Sequence, residues 1–137
     1  MELDEKVIFD RQLRSEGEMR YLYSHADLFV HPSLREGFGW TPIEAAVLKT
    51  PVLVSDIDVM KEVTCGKVPM FSSESPEYCA SIMLELLKNP PSSEERERLK
   101  DFYLQKYSLK NQIDRMTEVI IRNVEKENTA RSCFSRS

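Results

Sequence analysis

Residues 27–56 read DLFVHPSLREGFGWTPIEAAVLKTPVLVSD, and this stretch decides how the chain folds. The apolar run at 27–30 predicts a short strand that ends before Pro32, because proline cannot continue a ladder of hydrogen bonds. Residues 41–49 show the apolar spacing of a helix. The β-branched run at 51–56 is typical of a strand buried on both faces. The order strand, helix, strand predicts a parallel βαβ unit.

Further elements are predicted on both sides of this unit. The apolar residues 7–9 predict a strand, residues 19–26 a short helix, and residues 68–71 another, weaker strand. Helices are then expected wherever a serine precedes a helical apolar pattern, since serine is a preferred N-cap. The three serines in such positions are Ser75, Ser92 and Ser108.

These elements predict an α/β fold, a partial Rossmann-like parallel sheet followed by a C-terminal helical cluster. We expect one structured unit over residues 1–125. Residues 126–137 are polar and aperiodic, so disorder is predicted there. Doubly wound domains usually have more strands than are predicted here, and we therefore expect the chain to be part of a larger domain.

The bulk composition excludes several functional classes. The 137 residues carry a net charge of −4, which argues against a nucleic-acid-binding surface and against a polybasic patch that would bind a membrane. No apolar run is long enough for a membrane span, and the N-terminus has no signal-peptide pattern. Three widely spaced cysteines favour free thiols over a disulfide or a metal site. A cytoplasmic protein without a bound metal is the expectation.

The segment REGFGWTPIEAA, residues 35–46, allows a purely structural interpretation. Thr41-Pro42-Ile43-Glu44 matches a capping box, in which the threonine caps the helix and the glutamate bonds back to it. The glycines would then serve only a tight turn. This interpretation accounts for Glu44, but it gives no reason for a second carboxylate at Glu36.

A ligand-binding interpretation accounts for both carboxylates. The loop lies between a strand end and a helix start, where open α/β sheets bind ligands. Glycines let the backbone approach a ligand, and the amides at a helix start attract phosphate groups. Carboxylates accept hydrogen bonds from the hydroxyls of sugars and riboses. The layout therefore suits a nucleoside-diphosphate sugar.

These residues also resemble a known family. The segment ADLFVHPSLREGFGWTPIEAAVLKTPVLVSD is similar to the C-terminal domain of the retaining glycosyltransferases of family 4, whose domain is called "glycosyl transferases group 1" and whose fold is GT-B. The family pattern has two glutamates separated by seven residues, preceded by Pro-Ser and followed by Pro-Val. Here the glutamates are Glu36 and Glu44, the flanking pairs are Pro32-Ser33 and Pro51-Val52, and the looser match covers most of residues 7–122.

The resemblance implies roles for particular residues. Glu36 would contact the transferred sugar and stabilise a positively charged, oxocarbenium-like state, which makes it the expected catalytic residue. Glu44 would bind the ribose of the nucleotide. The backbone along the sugar and diphosphate would be that of Gly37, Phe38, Gly39, Trp40 and Thr41. Enzymes of this family generally need no metal, and the donor would be a nucleoside-diphosphate sugar.

Several departures leave the activity of the chain open. Family members have a second, acceptor-binding domain and basic residues for the diphosphate, and neither is evident here; Arg35 and Lys49 are merely nearby. Trp40 replaces the more usual leucine, and Thr50 stands where glycine is common. One expectation is a truncated donor-binding portion of an enzyme that acts on a saccharide or lipid-linked acceptor, with peripheral membrane association left open. The alternative is a noncatalytic nucleotide-sugar-binding module that pairs with a partner chain.

The two histidines are weaker candidates. His25 is expected on an exposed helix end. His31 lies beside the glycine loop and could contact the donor or fill the loop, and we favour a structural role for it because geometry is the first requirement of a catalytic base.

Overall fold

The computed structural model describes residues 7–12, 14–72 and 74–134. The elements follow in the order α1 (Glu16–His25), β1 (Phe29–His31), α2 (Trp40–Val47), β2 (Val52–Ser55), α3 (Asp58–Thr64), β3 (Met70–Phe71), α4 (Pro76–Lys88), α5 (Ser93–Tyr107) and α6 (Leu109–Phe134). The three strands form one parallel sheet in the order β1-β2-β3. The predicted α/β fold with a Rossmann-like parallel sheet is confirmed.

The central strand β2 anchors the core. All four of its residues are buried, as its β-branched composition predicts for a strand covered on both faces. Val52 pairs with Phe29 of β1, and Val54 pairs with both His31 and Met70. The buried apolar cluster around this strand consists of Tyr23, Ile43, Ala45, Ala46, Val52, Val54, Met60, Val63, Val68 and Tyr103.

Helices α2 and α5 pack against each other over this core. Tyr103 is the largest fully buried side chain, and its hydroxyl donates a hydrogen bond to the Thr64 carbonyl at 2.9 Å. Burial raises the pKa of Tyr103, because the charged phenolate would lose its hydration. This residue therefore joins α5 to the end of α3 by both packing and a polar contact.

The predicted serine caps are confirmed. The Ser75 hydroxyl accepts a hydrogen bond from the Tyr78 amide at the start of α4. Ser92 and Glu95 form a complete capping box at the start of α5. The Ser108 hydroxyl accepts from the Asn111 amide in the first turn of α6. Each of these caps is a local interaction within four residues, which is why the sequence alone reveals it.

Two features at the ends of the chain differ from expectation. The strand predicted at residues 7–9 is wrong: that segment has no secondary structure, and Ile8 and Phe9 are 90% and 86% exposed. An apolar run becomes a strand only where another strand is in place to pair with it, and among the described strands β1 pairs with β2 alone. Helix α6 continues to Phe134, although the sequence predicts disorder from residue 126. Residues 126–134 contain neither proline nor glycine, the residues that most often end a helix.

Candidate functional site

The glycine loop begins at the carboxyl end of β1, the edge at which parallel sheets bind ligands. His31 is the last residue of the strand, and Pro32 follows it and ends the pairing. The loop then runs to Gly39, and α2 begins at Trp40. Glu36 therefore lies between a strand end and a helix start, as the sequence predicts.

Glu36 is held in place by two side chains, one from the end of β1 and one from the same loop. The His31 Nε2 atom lies 2.8 Å from Glu36 Oε1, and the Ser33 hydroxyl donates to the same oxygen at 2.9 Å. The Ser33 hydroxyl, and after it His31, lower the pKa of the Glu36 carboxyl. Both contacts stabilise the carboxylate form, so Glu36 is ionised at neutral pH. This half-buried anion is the best-defined charged group of the loop.

Gly39 sets the path by which the loop enters α2. Its backbone is left-handed, with φ +80° and ψ 62°, a conformation that glycine adopts without steric cost. A Cβ atom at this position would lie 2.2 Å from Cε of the buried Met60 and 3.9 Å from Cγ of Glu36. The glycine is therefore required twice, by the backbone angle and by the close approach of the core beneath it.

The capping box predicted at Thr41 and Glu44 is wrong. The N-cap lies two residues earlier than the capping box predicts, at Gly39, and no side chain caps the helix. The Thr41 hydroxyl lies instead 3.5 Å from Nδ1 of His31, a residue of the neighbouring strand. With no side-chain cap, the backbone amides of the first turn of α2 are available to an anionic ligand, and the helix dipole adds to their positive potential.

Glu44 lies apart from the contacts that hold Glu36. Its carboxyl is exposed, one turn into α2, and it faces Tyr23 of α1. Burial, and after it the nearby Glu44 carboxylate, raise the pKa of Tyr23. The structure therefore brings His31, Ser33, Glu36 and Thr41 into one network, while Glu44 stands on the same helix start without joining it.

An aromatic cluster covers the other side of the loop. The rings of Phe38 and Trp40 lie 4.4 Å apart, and Tyr107 meets both edge-on at 5.8 and 5.4 Å. Tyr107, the last residue of α5, donates its hydroxyl to the Val63 carbonyl at 2.5 Å. The loop is thus fixed against α3 and α5. The sequence gives no local signal for Tyr107, which follows Trp40 by more than sixty residues.

Two basic residues near the loop, Lys49 and Lys61, form ion pairs with carboxylates that lie outside it. Lys49 pairs with Glu97 of α5, and its carbonyl accepts a hydrogen bond from Arg96 at 3.3 Å. Lys61 pairs with Asp56 at 2.6 Å. Asp56, the residue directly after β2, is therefore an ion-paired carboxylate. Within the described residues, no group of three or more His, Cys, Asp or Glu side chains is arranged to hold a metal ion.

Comparison with known proteins identifies the family. The sequence profile described as "Glycosyl transferases group 1" matches residues 1–103. The chain belongs to this family. The matched residues include His31 and Ser33, which orient Glu36, together with the glycine loop and the three described strands. No solved structure matches the chain.

Several curated relatives share parts of this region. The O-antigen chain mannosyltransferase RfbU of Salmonella typhimurium is 51% identical over 63 residues, which cover 46% of this chain and 18% of the relative. The serotype-specific mannosyltransferase WbdA of Escherichia coli is 37% identical over 82 residues, covering 60% and 10%. The alpha-galactosylglucosyldiacylglycerol synthase of Streptococcus pneumoniae is 36% identical over 72 residues, covering 53% and 19%. The matched regions thus span less than a fifth of each of these relatives.

Of the helices that the structure describes, none combines the length and the apolar character that crossing a bilayer requires.

Proposed function

We propose that this chain is part of the donor-binding portion of a retaining glycosyltransferase. The reaction would transfer a sugar from a nucleoside-diphosphate sugar to a saccharide or lipid-linked acceptor. One observation carries the proposal: an ionised Glu36, oriented by His31 and Ser33, lies in a glycine loop directly before the uncapped start of α2. That arrangement offers a hydrogen-bond acceptor for sugar hydroxyls beside amide donors for a diphosphate.

In the proposed mechanism Glu36 acts on the sugar. Departure of the nucleoside diphosphate leaves positive charge on the anomeric carbon and ring oxygen of the sugar. A carboxylate that is already ionised and oriented stabilises this charge without having to reorganise during the reaction. The lowered pKa of Glu36 supports this role, because protonation would remove its negative charge.

The remaining predicted residues would hold the nucleotide. The backbone of Gly37, Phe38 and Gly39 leads to the first amides of α2, at Trp40 and Thr41, which would face the diphosphate. The exposed Glu44 carboxylate is free of a capping bond and would accept hydrogen bonds from the ribose hydroxyls. The proposal includes no metal ion.

We further propose a mannosyl donor. Two of the relatives described above are named mannosyltransferases, and the more similar of them is 51% identical across its matched segment. The acceptor site would lie outside this chain, on the remainder of a longer protein or on a partner chain. Because nucleoside-diphosphate sugars are made in the cytoplasm, the reaction is proposed to take place there.

Isothermal titration of the purified chain tests donor binding. GDP-mannose, UDP-glucose and GDP would each be titrated into wild-type protein and into Glu44→Gln. We expect GDP-mannose to bind more tightly than UDP-glucose, and Glu44→Gln to weaken GDP and GDP-mannose by similar factors, because the ribose is common to both. Equal binding of both sugars would overturn the mannosyl assignment. A chain that binds no nucleotide at all would overturn the proposed function.

A further inference from the structure

We infer that His31 is a positioning residue, which fixes the Glu36 carboxylate and determines the oxygen that it presents to the donor sugar. The functional part of this inference rests on the function proposed above. The structural part rests on the contacts of His31 itself, which come from β1, β2, the glycine loop and α2.

The imidazole ring is attached to a rigid support. His31 pairs with Val54 in the sheet, and its carbonyl accepts a hydrogen bond from the Ser55 hydroxyl at 3.1 Å. The ring is half-buried and lies nearly parallel to that of Phe29, with centroids 6.1 Å apart. A side chain on a paired, half-buried strand loses little further freedom when it makes a hydrogen bond, so its direction is defined before any ligand arrives.

The hydrogen bonds assign the protonation of the ring. An ionised carboxylate only accepts hydrogen bonds, so the Nε2 atom that lies 2.8 Å from Glu36 must carry the proton. In the neutral imidazole Nδ1 is then an acceptor, and the Thr41 hydroxyl at 3.5 Å is the donor in place to serve it. The chain of contacts runs from the Thr41 hydroxyl to Nδ1, and from Nε2–H to Glu36.

This arrangement leaves one carboxylate oxygen for a ligand. His31 and Ser33 both donate to Oε1, which uses the two lone pairs of that oxygen. The Gly37 amide also lowers the pKa of the Glu36 carboxyl through a backbone hydrogen bond. Oε2 keeps acceptor capacity and is the oxygen that would meet a sugar hydroxyl. His31 and Ser33 together therefore set the orientation in which that oxygen is held.

A pair of substitutions separates positioning from packing. In His31→Gln, the side-chain amide retains an N–H group near the position of Nε2 and can still donate to Glu36. In His31→Leu the volume is kept but every donor is lost. His25→Gln is the matched control, because that histidine is exposed at the end of α1 and contacts Tyr21 and Ser24 rather than the site.

The first measurement is the pKa of the Glu36 carboxyl, followed by NMR in a pH titration of protein labelled with ¹³C at glutamate. We expect this pKa to rise in His31→Leu and to stay near the wild-type value in His31→Gln and His25→Gln. An unchanged Glu36 pKa in His31→Leu would overturn the positioning role. Equal shifts in the Leu and Gln variants would also overturn it, because packing alone would then explain them.

The second measurement is the affinity for GDP-mannose relative to GDP in the same variants. Loss of a charge-assisted hydrogen bond predicts that His31→Leu weakens GDP-mannose by about tenfold or more, with little change for GDP, and that His31→Gln restores most of the loss. Equal weakening of both ligands would refute a role directed at the sugar. If the wild-type protein bound neither ligand, the proposed function would fail, and the Glu36 pKa would still decide whether His31 positions the carboxylate.

Discussion

Replacement of Gly39 by alanine is the most informative single change at the loop. The added Cβ would lie 2.2 Å from Cε of Met60, far inside van der Waals contact, and Met60 is fully buried. The backbone at Gly39 is left-handed, with φ +80°, so the substitution is strained even where space is available. Two separate penalties therefore act at this one position.

The magnitude follows from their sum. A left-handed conformation costs a residue with a Cβ atom about 1–2 kcal/mol. Displacing a packed core side chain costs about 1–3 kcal/mol, and the flexibility of Met60 places the cost in the lower part of that range. We expect Gly39→Ala to lower the free energy of unfolding by roughly 2–4 kcal/mol, a large part of the total of about 5–15 kcal/mol that is usual for a domain.

Urea denaturation followed by circular dichroism and by the fluorescence of Trp40, the only tryptophan, measures this change. Gly37→Ala is the matched control in the same loop, because nothing lies within 4 Å of its Cβ position. The free energy of unfolding of this control should stay within about 0.5 kcal/mol of the wild-type value. In a Met60→Ala background, the penalty of Gly39→Ala should fall to about 1–2 kcal/mol, since only the backbone strain remains.

Two results would refute this reasoning. If Gly39→Ala and Gly37→Ala had the same stability, the left-handed turn would not be a requirement of the loop. If the penalty of Gly39→Ala were unchanged in the Met60→Ala background, the close approach of Met60 would play no part in it.

The other stability predictions concern the helix caps and the buried phenol. Ser92→Ala removes a capping box and should lower the free energy of unfolding, measured by urea denaturation, by about 1 kcal/mol. Thr41 caps no helix, so Thr41→Ala should lower it clearly less. Equal losses in the two variants would contradict this assignment of the caps. Because burial raises the pKa of Tyr103 above its value in the unfolded chain, its contribution to stability is complete below about pH 10 and decreases as the pH rises further. Thermal denaturation between pH 8 and 11 should show this decrease in stability, and Tyr103→Phe should make the dependence on pH weaker. The same substitution should lower the free energy of unfolding by about 1–3 kcal/mol, because it leaves the Thr64 carbonyl without its hydrogen bond. If the stability of the wild-type protein stayed constant up to pH 11, the predicted contribution of the buried Tyr103 phenol would be wrong.

The parts of the fold that could be predicted from sequence depend on local patterns. The β-branched run of β2 is buried as expected, because a continuous apolar strand is stable only when both faces are covered. Ser92 caps α5 through a box of four consecutive residues. The position of the glycine loop at the carboxyl edge of the sheet is predictable, because strand and helix alternate around it.

The errors arise where contacts between distant residues decide the outcome. Thr41 has the sequence of a cap, but the left-handed Gly39 caps the helix two residues earlier, and the threonine hydroxyl lies near His31 instead. No periodic pattern encodes that contact. A signal for His31 did exist: a polar residue at the carboxyl end of a predicted strand, five residues before a carboxylate, is in position to reach it. The sequence does not reveal the direction of the ring, so it cannot predict which atom the ring contacts.

The central claim is that Glu36 contacts the donor sugar and not the nucleotide. Titration of GDP-mannose and GDP into Glu36→Gln tests it directly, with Glu118→Gln on the exposed face of α6 as the matched control. We predict that Glu36→Gln weakens GDP-mannose by about tenfold or more and leaves GDP within about twofold of wild type, while Glu118→Gln changes neither. Equal affinities of wild type and Glu36→Gln for GDP-mannose would contradict the account.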